Sequence, residues 1–251
     1  MRTGKKIYFV SDMHFGIPDF EESLEREKRL VGWLNRARHD AEEFFLLGDI
    51  FDFWFEYRSA VPYGYTRFLG KIAELTDSGI PVHFFTGNHD LWTFDYLPKE
   101  TGVILHRGPL KREINGKIFL MAHGDGLGPS DKGFKLMKRL FTNRLTQHLF
   151  RLIHPDIGIK LGMYFSRKSR ESLPEEEFSF KGEDKEFLVL YAKGILRKEH
   201  IDYFIFGHRH VPVMLELNEK SVFINIGDWI THFSYAVFDG KKIDLLKYEN
   251  D

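Results

Sequence analysis

Residues 84–90 read FFTGNHD, an apolar run that stops at a glycine and is followed by three polar residues. Four other apolar runs end in the same way, in SDMH (11–14), LGDIFD (47–52), AHGD (122–125) and FGHRH (206–210). Short, continuously apolar runs are typical of strands that are buried on both faces. The sequence therefore predicts buried strands, each ending in polar side chains, at residues 7–10, 44–47, 82–85, 118–121 and 203–206.

The segments between the first three runs have the periodicity of amphipathic helices. Leu24, Leu30, Val31 and Leu34 recur at roughly helical spacing, and residues 65–79 repeat this pattern before a glycine. This alternation predicts the βαβαβ start of an α/β fold. Three strand-like runs near the C-terminus predict an antiparallel edge, because an Asp-Gly turn at 239–240 joins the last two.

Composition excludes several classes of protein and of metal site. The chain has 251 residues, of which 43% are hydrophobic, enough for a substantial core. Its 36 basic and 37 acidic residues give a net charge of −1, which argues against a nucleic-acid binder. Because cysteine is absent, a metal would have only nitrogen and oxygen ligands. Asp12 and His14 interrupt the N-terminal apolar run early, so we expect a cytoplasmic protein without a transmembrane helix.

The polar residues after the strands have the chemistry of metal ligands. In open α/β sheets, ligands bind at the carboxyl ends of strands, so these residues are expected to converge. Carboxylate, amide and imidazole groups suit Mn, Fe or Zn better than Ca, and seven ligands fit two metals that share one carboxylate. Taken singly, each motif could equally be a turn. The candidate ligands are Asp12, His14, Asp49, Asn88, His123, His208 and His210.

Together the motifs D-x-H, GD-x-x-D, GNHD, H-G-D and G-H-x-H resemble the signature of the calcineurin-like metallophosphoesterases over residues 7–228. The resemblance implies a single α/β domain over residues 1–251, in which two packed mixed sheets are flanked by helices. It implies two divalent metal ions, for which we expect Mn²⁺ with Fe or Zn as alternatives. The ions would share Asp49, one being held by Asp12, His14 and His210, the other by Asn88, His123 and His208.

By the same resemblance, His89 is a catalytic group and not a metal ligand. It would stabilise charge on the phosphate or donate a proton to the leaving oxygen. Asp52 resembles the family carboxylate that orients this histidine and favours its protonated form. A turn or helix cap after a strand is the alternative interpretation of Asp52. Asn88 is expected to contact the substrate as well as a metal.

The residues around the GD-x-x-D motif indicate which group within this family the chain resembles. Protein phosphatases of this family have Arg-Gly after the second Asp of GD-x-x-D, whereas this chain has Phe53 and Trp54. The combination of GDIFDFWFEY, HGDGLG and GHRHVP is similar to the UDP-2,3-diacylglucosamine diphosphatases of lipid A synthesis, especially their Bacteroidetes-type members. The proteobacterial enzymes of that group typically have Arg where this chain has His89.

A basic segment rich in apolar residues follows the fourth strand. Residues 132–170 contain ten Lys or Arg and one acid, a net charge of +9 in a chain whose total is −1. We expect a helical cap, inserted at residues 131–172, whose apolar side receives acyl chains and whose basic side faces an anionic membrane surface. A helical hairpin with a solvated basic face is the alternative. Within the cap, the resemblance implies substrate contacts by Asp131, Phe134 and Ser166.

Three functions are compatible with these observations. The favoured one is a dimetal enzyme, peripheral on the cytoplasmic face of the inner membrane, that cleaves UDP-2,3-diacylglucosamine to UMP and 2,3-diacylglucosamine 1-phosphate. The second is a soluble phosphodiesterase that acts on cyclic nucleotides or other nucleotide diphosphates. The third is a non-catalytic scaffold of the same fold, against which the complete set of candidate ligands argues. The sequence leaves the oligomeric state open.

Overall fold

Two β-sheets form the centre of the molecule. The computed structural model describes residues 1–128, 132–171 and 179–249. The strands are β1 (Lys6–Val10), β2 (Ala41–Leu47), β3 (Val82–Phe85), β4 (Ile104–His106), β5 (Leu110–Ile114), β6 (Lys117–Ala122), β7 (Tyr203–Phe206), β8 (Val213–Asn218), β9 (Ser221–Asn225), β10 (Ser234–Phe238) and β11 (Ile243–Lys247). One sheet has the order β11-β10-β1-β2-β3-β4 and the other β5-β6-β7-β9-β8. The five predicted strands are confirmed as β1, β2, β3, β6 and β7.

The helices cover the outer faces of the sheets and one end of the molecule. They are α1 (Phe20–Ala37), α2 (Thr66–Asp77), α3 (Tyr96–Thr101), α4 (Lys132–Phe141), α5 (Arg144–Arg151), α6 (Pro155–Glu171) and α7 (Phe187–Leu196). The Asp19 carboxylate starts α1 by accepting a hydrogen bond from the Glu22 amide at 2.9 Å. Within the described ranges, no helix is both long and apolar enough to span a bilayer.

Both sheets are mixed, as expected. β1, β2 and β3 run parallel, and α1 and α2 connect them, which confirms the βαβαβ start. β6 and β7 are parallel in the second sheet. β10 and β11 form the predicted antiparallel edge of the first sheet, whereas β9 joins the second sheet beside β7. The last three strand-like runs are therefore divided between the two sheets.

The core has three apolar layers. Phe9, Phe45 and Phe119 belong to the layer between the two sheets. Trp33 packs with other buried side chains under α1 and α2, and Leu188 packs under α7 on the outer face of the second sheet. Because all these side chains lose nearly all contact with water, the two sheets are held face to face by apolar burial. The order of layers is therefore helix, sheet, sheet, helix.

Candidate metal centre

The seven predicted ligands come together where the strands end. Two of them follow β1, one each follows β2, β3 and β6, and two follow β7, so both sheets contribute. Four of the side chains are buried, and the other three are partly exposed toward one side of the cluster. The buried ones are Asp12, His14, Asp49 and His123, and the partly exposed ones are Asn88, His208 and His210.

The predicted ligand atoms form two neighbouring groups, and a third group of possible ligands joins His89 to His14 and Asp49. In each group the atoms lie within 4.8 Å of one another: Asp12, His14 and His210 in the first, and Asp49, His123 and His208 in the second. Asn88 Oδ1 lies 3.3 Å from His123 Nε2 and so joins the second group. Asp49 Oδ2 lies 3.6 Å from His14 Nε2, between the groups. This is the division that the family resemblance implied, while the role of each side chain as a ligand stays a prediction.

Three buried atoms at this place have no hydrogen-bond partner among the described residues. They are Asp12 Oδ1, His14 Nε2 and Asp49 Oδ2. Asp12 Oδ1 nevertheless lies 3.2 Å from His210 Nε2, and Asp49 Oδ2 lies 3.2 Å from His123 Nε2. Buried polar atoms are costly unless something satisfies them. Because cations shared by these oxygen and nitrogen atoms would satisfy them, the residues fit a centre for two divalent transition metals.

The second ring nitrogen of two histidines is bonded to an acceptor. His14 Nδ1 lies 3.2 Å from Asp52 Oδ1, and His123 Nδ1 lies 2.8 Å from the Leu47 carbonyl oxygen. A carbonyl or an ionised carboxylate can only accept, so each Nδ1 carries the proton. Each Nε2 then presents its lone pair to the centre of the cluster, as metal-binding histidines do.

Five of the seven candidate ligands have a left-handed backbone conformation. Residues other than glycine rarely adopt it, and it costs about 1–3 kcal/mol at each position. Such strain persists only where the surrounding structure imposes it, and here it turns each side chain sharply inward from its strand end. The φ angles are 57° at Asp12, 45° at His14, 52° at Asp49, 69° at His208 and 55° at His210.

Two glycines allow the ligands to approach one another. A Cβ atom on Gly48 would lie 2.7 Å from the ring of His123, and a Cβ atom on Gly87 would overlap the Asp49 carboxylate. A side chain at either position would therefore push a candidate ligand out of place. Gly48 and Gly87 thus make room for candidate ligands that follow other strands.

The electrostatics of the cluster favour bound positive charge. Burial opposes ionisation of Asp49, but the neighbouring His123 imidazole helps to hold its pKa well below the usual range. Burial lowers the pKa of His14, yet the neighbouring Asp12 and Asp52 carboxylates outweigh it and raise that pKa to about 9. Burial likewise opposes the charge of His123, whose pKa the Asp49 charge helps to raise to about 10. A metal cation would compete with these protons for the same nitrogens.

His89 lies beside the cluster with its two nitrogens in different surroundings. Its Nε2 is 4.0 Å from Asp49 Oδ2, whereas its Nδ1 is 2.9 Å from the Asp52 carbonyl oxygen and 2.8 Å from Ser166 Oγ. The nearer Asp52 carboxylate oxygen stays 3.8 Å from Nδ1 and hydrogen-bonds His14. The Asp52 backbone carbonyl and the Ser166 hydroxyl are therefore nearer to His89 than the Asp52 carboxylate is, while the role of Asp52 in orienting His89 stays a prediction.

Asp52 acts on His89 in the expected direction, toward the protonated form, but burial outweighs it. Burial lowers its pKa, and the charges of Asp49 and Asp52 do not compensate for this. Since Nδ1 faces two acceptors, the neutral imidazole carries its proton there and points a lone pair from Nε2 toward the cluster. An anionic phosphate beside Nε2 would raise the pKa again.

Sequence reasoning missed Asp228, which supports a candidate ligand. Its Oδ2 lies 3.5 Å from His210 Nδ1, and its Oδ1 accepts hydrogen bonds from the backbone amides of residues 230–232. Burial opposes its charge, but the hydrogen bond with His210 helps to lower its pKa. The sequence does contain a signal for Asp228, because Gly227 and Asp228 follow the apolar run of β9 as Gly48 and Asp49 follow β2.

Of the three substrate contacts predicted in the cap, only the Ser166 side chain is among the described residues. Asp131 lies outside the described residues, and so does the side chain of Phe134. Ser166 is buried, and its hydroxyl donates to Asp52 Oδ2 at 2.9 Å, so its contact with a substrate stays a prediction. Arg170, one turn later on α6, also donates to the Asp52 carboxylate. The sequence did not single it out, because it is one of ten basic residues in that segment.

The predicted cap contains α4, α5 and α6 and is attached to the loops that carry candidate ligands. The ring of Phe53, from the second motif, presses on Gly162 of α6, where a Cβ atom would overlap it. Phe150 of α5 packs on the Trp92 ring with 4.6 Å between centroids. Trp92 Nε1 donates to the Phe141 carbonyl oxygen at 2.7 Å. The α5 and α6 helices of the predicted cap therefore pack on Phe53 and Trp92, the aromatic residues that follow the second and third motifs.

The outer faces of the cap helices expose large apolar side chains. On each helix these residues recur three or four positions apart, so they form one stripe per helix. Large contiguous patches of exposed apolar side chains mark interaction sites on proteins. Exposed members include Leu136 and Leu140 on α4, Leu145 and Leu149 on α5, and Ile157, Leu161 and Phe165 on α6.

The order and geometry of these residues agree with one known family. The model of the family described as calcineurin-like phosphoesterase matches residues 5–212 of the chain. The chain belongs to the calcineurin-like phosphoesterase family. As a phosphoesterase of this kind it is a metal-dependent hydrolase, and the scaffold interpretation is set aside.

Several proteins resemble this phosphoesterase over nearly its whole length. A UDP-2,3-diacylglucosamine hydrolase from Porphyromonas gingivalis (strain ATCC BAA-308 / W83) is 42% identical over 257 aligned residues, which cover 98% of each chain. An enzyme of the same name from Edwardsiella ictaluri (strain 93-146) is 24% identical over 95% of this chain and 90% of its own. The solved structure of a dimetal phosphatase from Danio rerio has the same fold, with a TM-score of 0.50 at 14% identity over 98% of this chain and 100% of its own.

Proposed function

We propose that this phosphoesterase hydrolyses the pyrophosphate of UDP-2,3-diacylglucosamine, releasing UMP and 2,3-diacylglucosamine 1-phosphate (lipid X) for lipid A biosynthesis. The observation that carries the proposal is the contact of the cap with the candidate metal centre, since α6 reaches Asp52 directly. A substrate that joins a pyrophosphate to acyl chains needs a metal centre and an apolar surface side by side. The two relatives that carry the name of this hydrolase support the same substrate.

We assign the two metal ions to the seven candidate ligands, with Mn²⁺ as the first choice and Fe or Zn as alternatives. When bound, two such ions neutralise phosphate charge and make water more acidic at neutral pH. The protein contributes fixed lone pairs, because Asp49, His14 and His123 are buried and the Nδ1 atoms of the two rings are already bonded. The site therefore needs little rearrangement to take up the ions.

His89 is assigned to the phosphate. Its Nε2 lies 4.0 Å from Asp49 Oδ2, and its ring is near enough to His14 and Asp49 to form a third group of possible ligands, so the assignment rests on the family resemblance and not on distance alone. When an anionic phosphate approaches, the imidazole gains a proton more readily and can stabilise the developing charge or donate to the leaving oxygen. Asn88 is assigned a contact with the same phosphate.

The cap is assigned to the acyl chains and to the inner membrane surface. Its segment carries +9, and its exposed leucines face away from the sheets. Each basic residue near an anionic surface contributes about 1 kcal/mol, and each buried acyl methylene about 0.8 kcal/mol. Even partial engagement of two acyl chains therefore stabilises the bound state more than a sugar nucleotide alone does.

Purified protein loaded with Mn²⁺ and incubated with UDP-2,3-diacylglucosamine tests the proposal. We expect release of UMP in equal amount to lipid X, and a much lower kcat/KM for UDP-N-acetylglucosamine. The soluble phosphodiesterase is the better account if the acylated and unacylated compounds react at equal rates or if cyclic nucleotides react faster. Binding to vesicles that contain anionic lipid, compared with neutral vesicles, tests the membrane assignment separately.

A further inference from the structure

One turn of α6 reaches the region beside His89. Ser166 and Arg170 are four positions apart and so lie on the same face of the helix. Arg170 Nη1 donates to Ser166 Oγ at 3.0 Å, and both of its Nη atoms donate to the Asp52 carboxylate. The Arg170 side chain is 22% exposed and that of Asp52 is 1% exposed. This pair is therefore mostly shielded from water, unlike the surface ion pairs that contribute little.

The chemistry of the partners determines the direction of each hydrogen bond. A guanidinium only donates and a carboxylate only accepts, so Ser166 Oγ accepts from Arg170 and donates to Asp52 Oδ2 at 2.9 Å. The hydroxyl proton is thus used, and the other lone pair of Ser166 Oγ faces His89 Nδ1 at 2.8 Å. The Asp52 carbonyl oxygen faces the same nitrogen at 2.9 Å. Two acceptors around Nδ1 require that the imidazole proton be there.

We propose that Arg170 is a positioning residue for His89. Acting through Ser166 and Asp52, it keeps the imidazole proton on Nδ1 and keeps Nε2 directed at the reacting phosphate. If Arg170 were absent, the Ser166 hydroxyl would be free to turn its proton toward Nδ1, which would select the opposite tautomer. The buried Asp52 carboxylate would also lose two of its donors.

The arrangement makes the cap part of the catalytic machinery as well as a lipid-binding element. Displacement of α6 would remove Arg170 and Ser166 together and leave His89 with the Asp52 carbonyl oxygen as its acceptor. The proposal rests on the function proposed above for His89, so its test needs one measurement of activity and one that does not depend on the substrate.

A double-mutant cycle on UMP release measures the coupling. We expect Arg170→Ala to lower kcat at least about tenfold, the usual effect of losing a group that orients an active-site histidine, with KM changed less than about twofold. In the His89→Ala background the same change should have no further effect, because Arg170 acts through His89. Arg170→Lys, which lacks the fork that spans Asp52 and Ser166, should recover only part of the loss.

Arg38→Ala is the matched control. Arg38 is a similarly shielded arginine, 29% exposed, that pairs with the Glu74 carboxylate outside the cap and away from His89. We expect nearly normal kcat for this variant. An equal loss of kcat in Arg38→Ala, or losses that multiply in the double mutant, would overturn the proposal.

The second measurement is the ¹⁵N and ¹H NMR spectrum of the histidine side chains in protein loaded with diamagnetic Zn²⁺. We expect a slowly exchanging Nδ1 proton for His89, identified by its loss in His89→Ala. The signal should disappear or broaden in Arg170→Ala and in Ser166→Ala, and stay sharp in Arg38→Ala. An unchanged signal in Arg170→Ala would reject the role, whether or not the protein turns over UDP-2,3-diacylglucosamine.

Discussion

His123 Nε2 lies 3.2 Å from Asp49 Oδ2, although the two residues follow strands of different sheets. His123 follows β6 of the five-stranded sheet, and Asp49 follows β2 of the six-stranded sheet. A cation between these atoms would therefore connect the two sheets as well as form part of the active site. Metal binding and folding stability are expected to be linked, because an ion that binds only the folded state stabilises it.

We expect Asp49→Ala to abolish both metal sites, because its carboxylate lies between the two groups of candidate ligands. Elemental analysis should show about two Mn²⁺ per wild-type chain and almost none in the variant. The rise in melting temperature on adding Mn²⁺ should disappear as well. Asp95→Ala, which removes an exposed carboxylate, is the control and should behave as wild type. Full metal content in Asp49→Ala would contradict the assignment.

His89→Ala should lower turnover about 10²-fold or more while the metal content stays near normal, because its imidazole acts on the phosphate and not as a ligand. Steady-state rates of UMP release and elemental analysis of the same sample check this. His89→Arg should retain part of the activity if a positive charge suffices at this position. Turnover equal to wild type in His89→Ala would remove His89 from the mechanism.

Charges placed on the exposed stripe of the cap should remove the preference for acylated substrate. We expect Leu140→Asp with Leu149→Asp to lower kcat/KM for UDP-2,3-diacylglucosamine at least about tenfold, since an acyl chain would meet a carboxylate there. The rate on UDP-N-acetylglucosamine should change little. Met214→Asp with Leu246→Asp is the control, because these residues are similarly exposed but lie on strands outside the cap. The same loss in both double variants would speak against an acyl site on the cap.

Gly162→Ala should displace the cap, because a Cβ atom there would overlap the Phe53 ring. We expect a loss of about 1–3 kcal/mol in the free energy of unfolding, as for other overpacked sites, together with a lower kcat/KM for the acylated substrate. Gly194→Ala on α7 has open space around the new methyl group and should be neutral or slightly stabilising. Urea unfolding of both variants makes the comparison, and an unaffected Gly162→Ala would mean that α6 can shift without cost.

The free energy of unfolding should rise with pH between about 4 and 6.5 partly because of His106. Burial, together with the charge of His83, lowers the pKa of His106 to about 4. The unfolded chain titrates near 6.5, so it binds more protons than the folded state in this range. The contribution of His106 is present above pH 6.5 and is lost as the pH falls through 4. His106→Gln should flatten the pH dependence in urea unfolding experiments, and an identical slope would assign the effect to other groups.

The strands and the candidate ligands were predictable because they depend on short-range patterns. A strand buried on both faces requires a continuous apolar run, and the chain must turn at its end, where FFTGNHD and LGDIFD place ligand-type side chains. Parallel strand ends meet at one edge of a sheet, so the convergence of Asp12 and Asp49 followed from the order of the elements. The approach of His123 to Asp49 depends instead on how the two sheets pack. The same reasoning would have found Asp228 after β9, had the third Gly-Asp been given equal weight.

Local sequence patterns were enough to establish which residues follow the strands and that the segment after β6 is basic and apolar. The contact of Ser166 and Arg170 with Asp52 could be found only from the folded chain, because 114 and 118 positions separate them from Asp52. The folded chain also places the backbone carbonyl of Asp52, and not its carboxylate, nearer to His89. Periodicity reports which face of a helix is apolar, but it carries no information on the rotation and docking of that helix against a distant loop. The rotation and docking of α6 depend on long-range packing, such as the close contact of Phe53 with Gly162. Local sequence patterns do not encode such contacts.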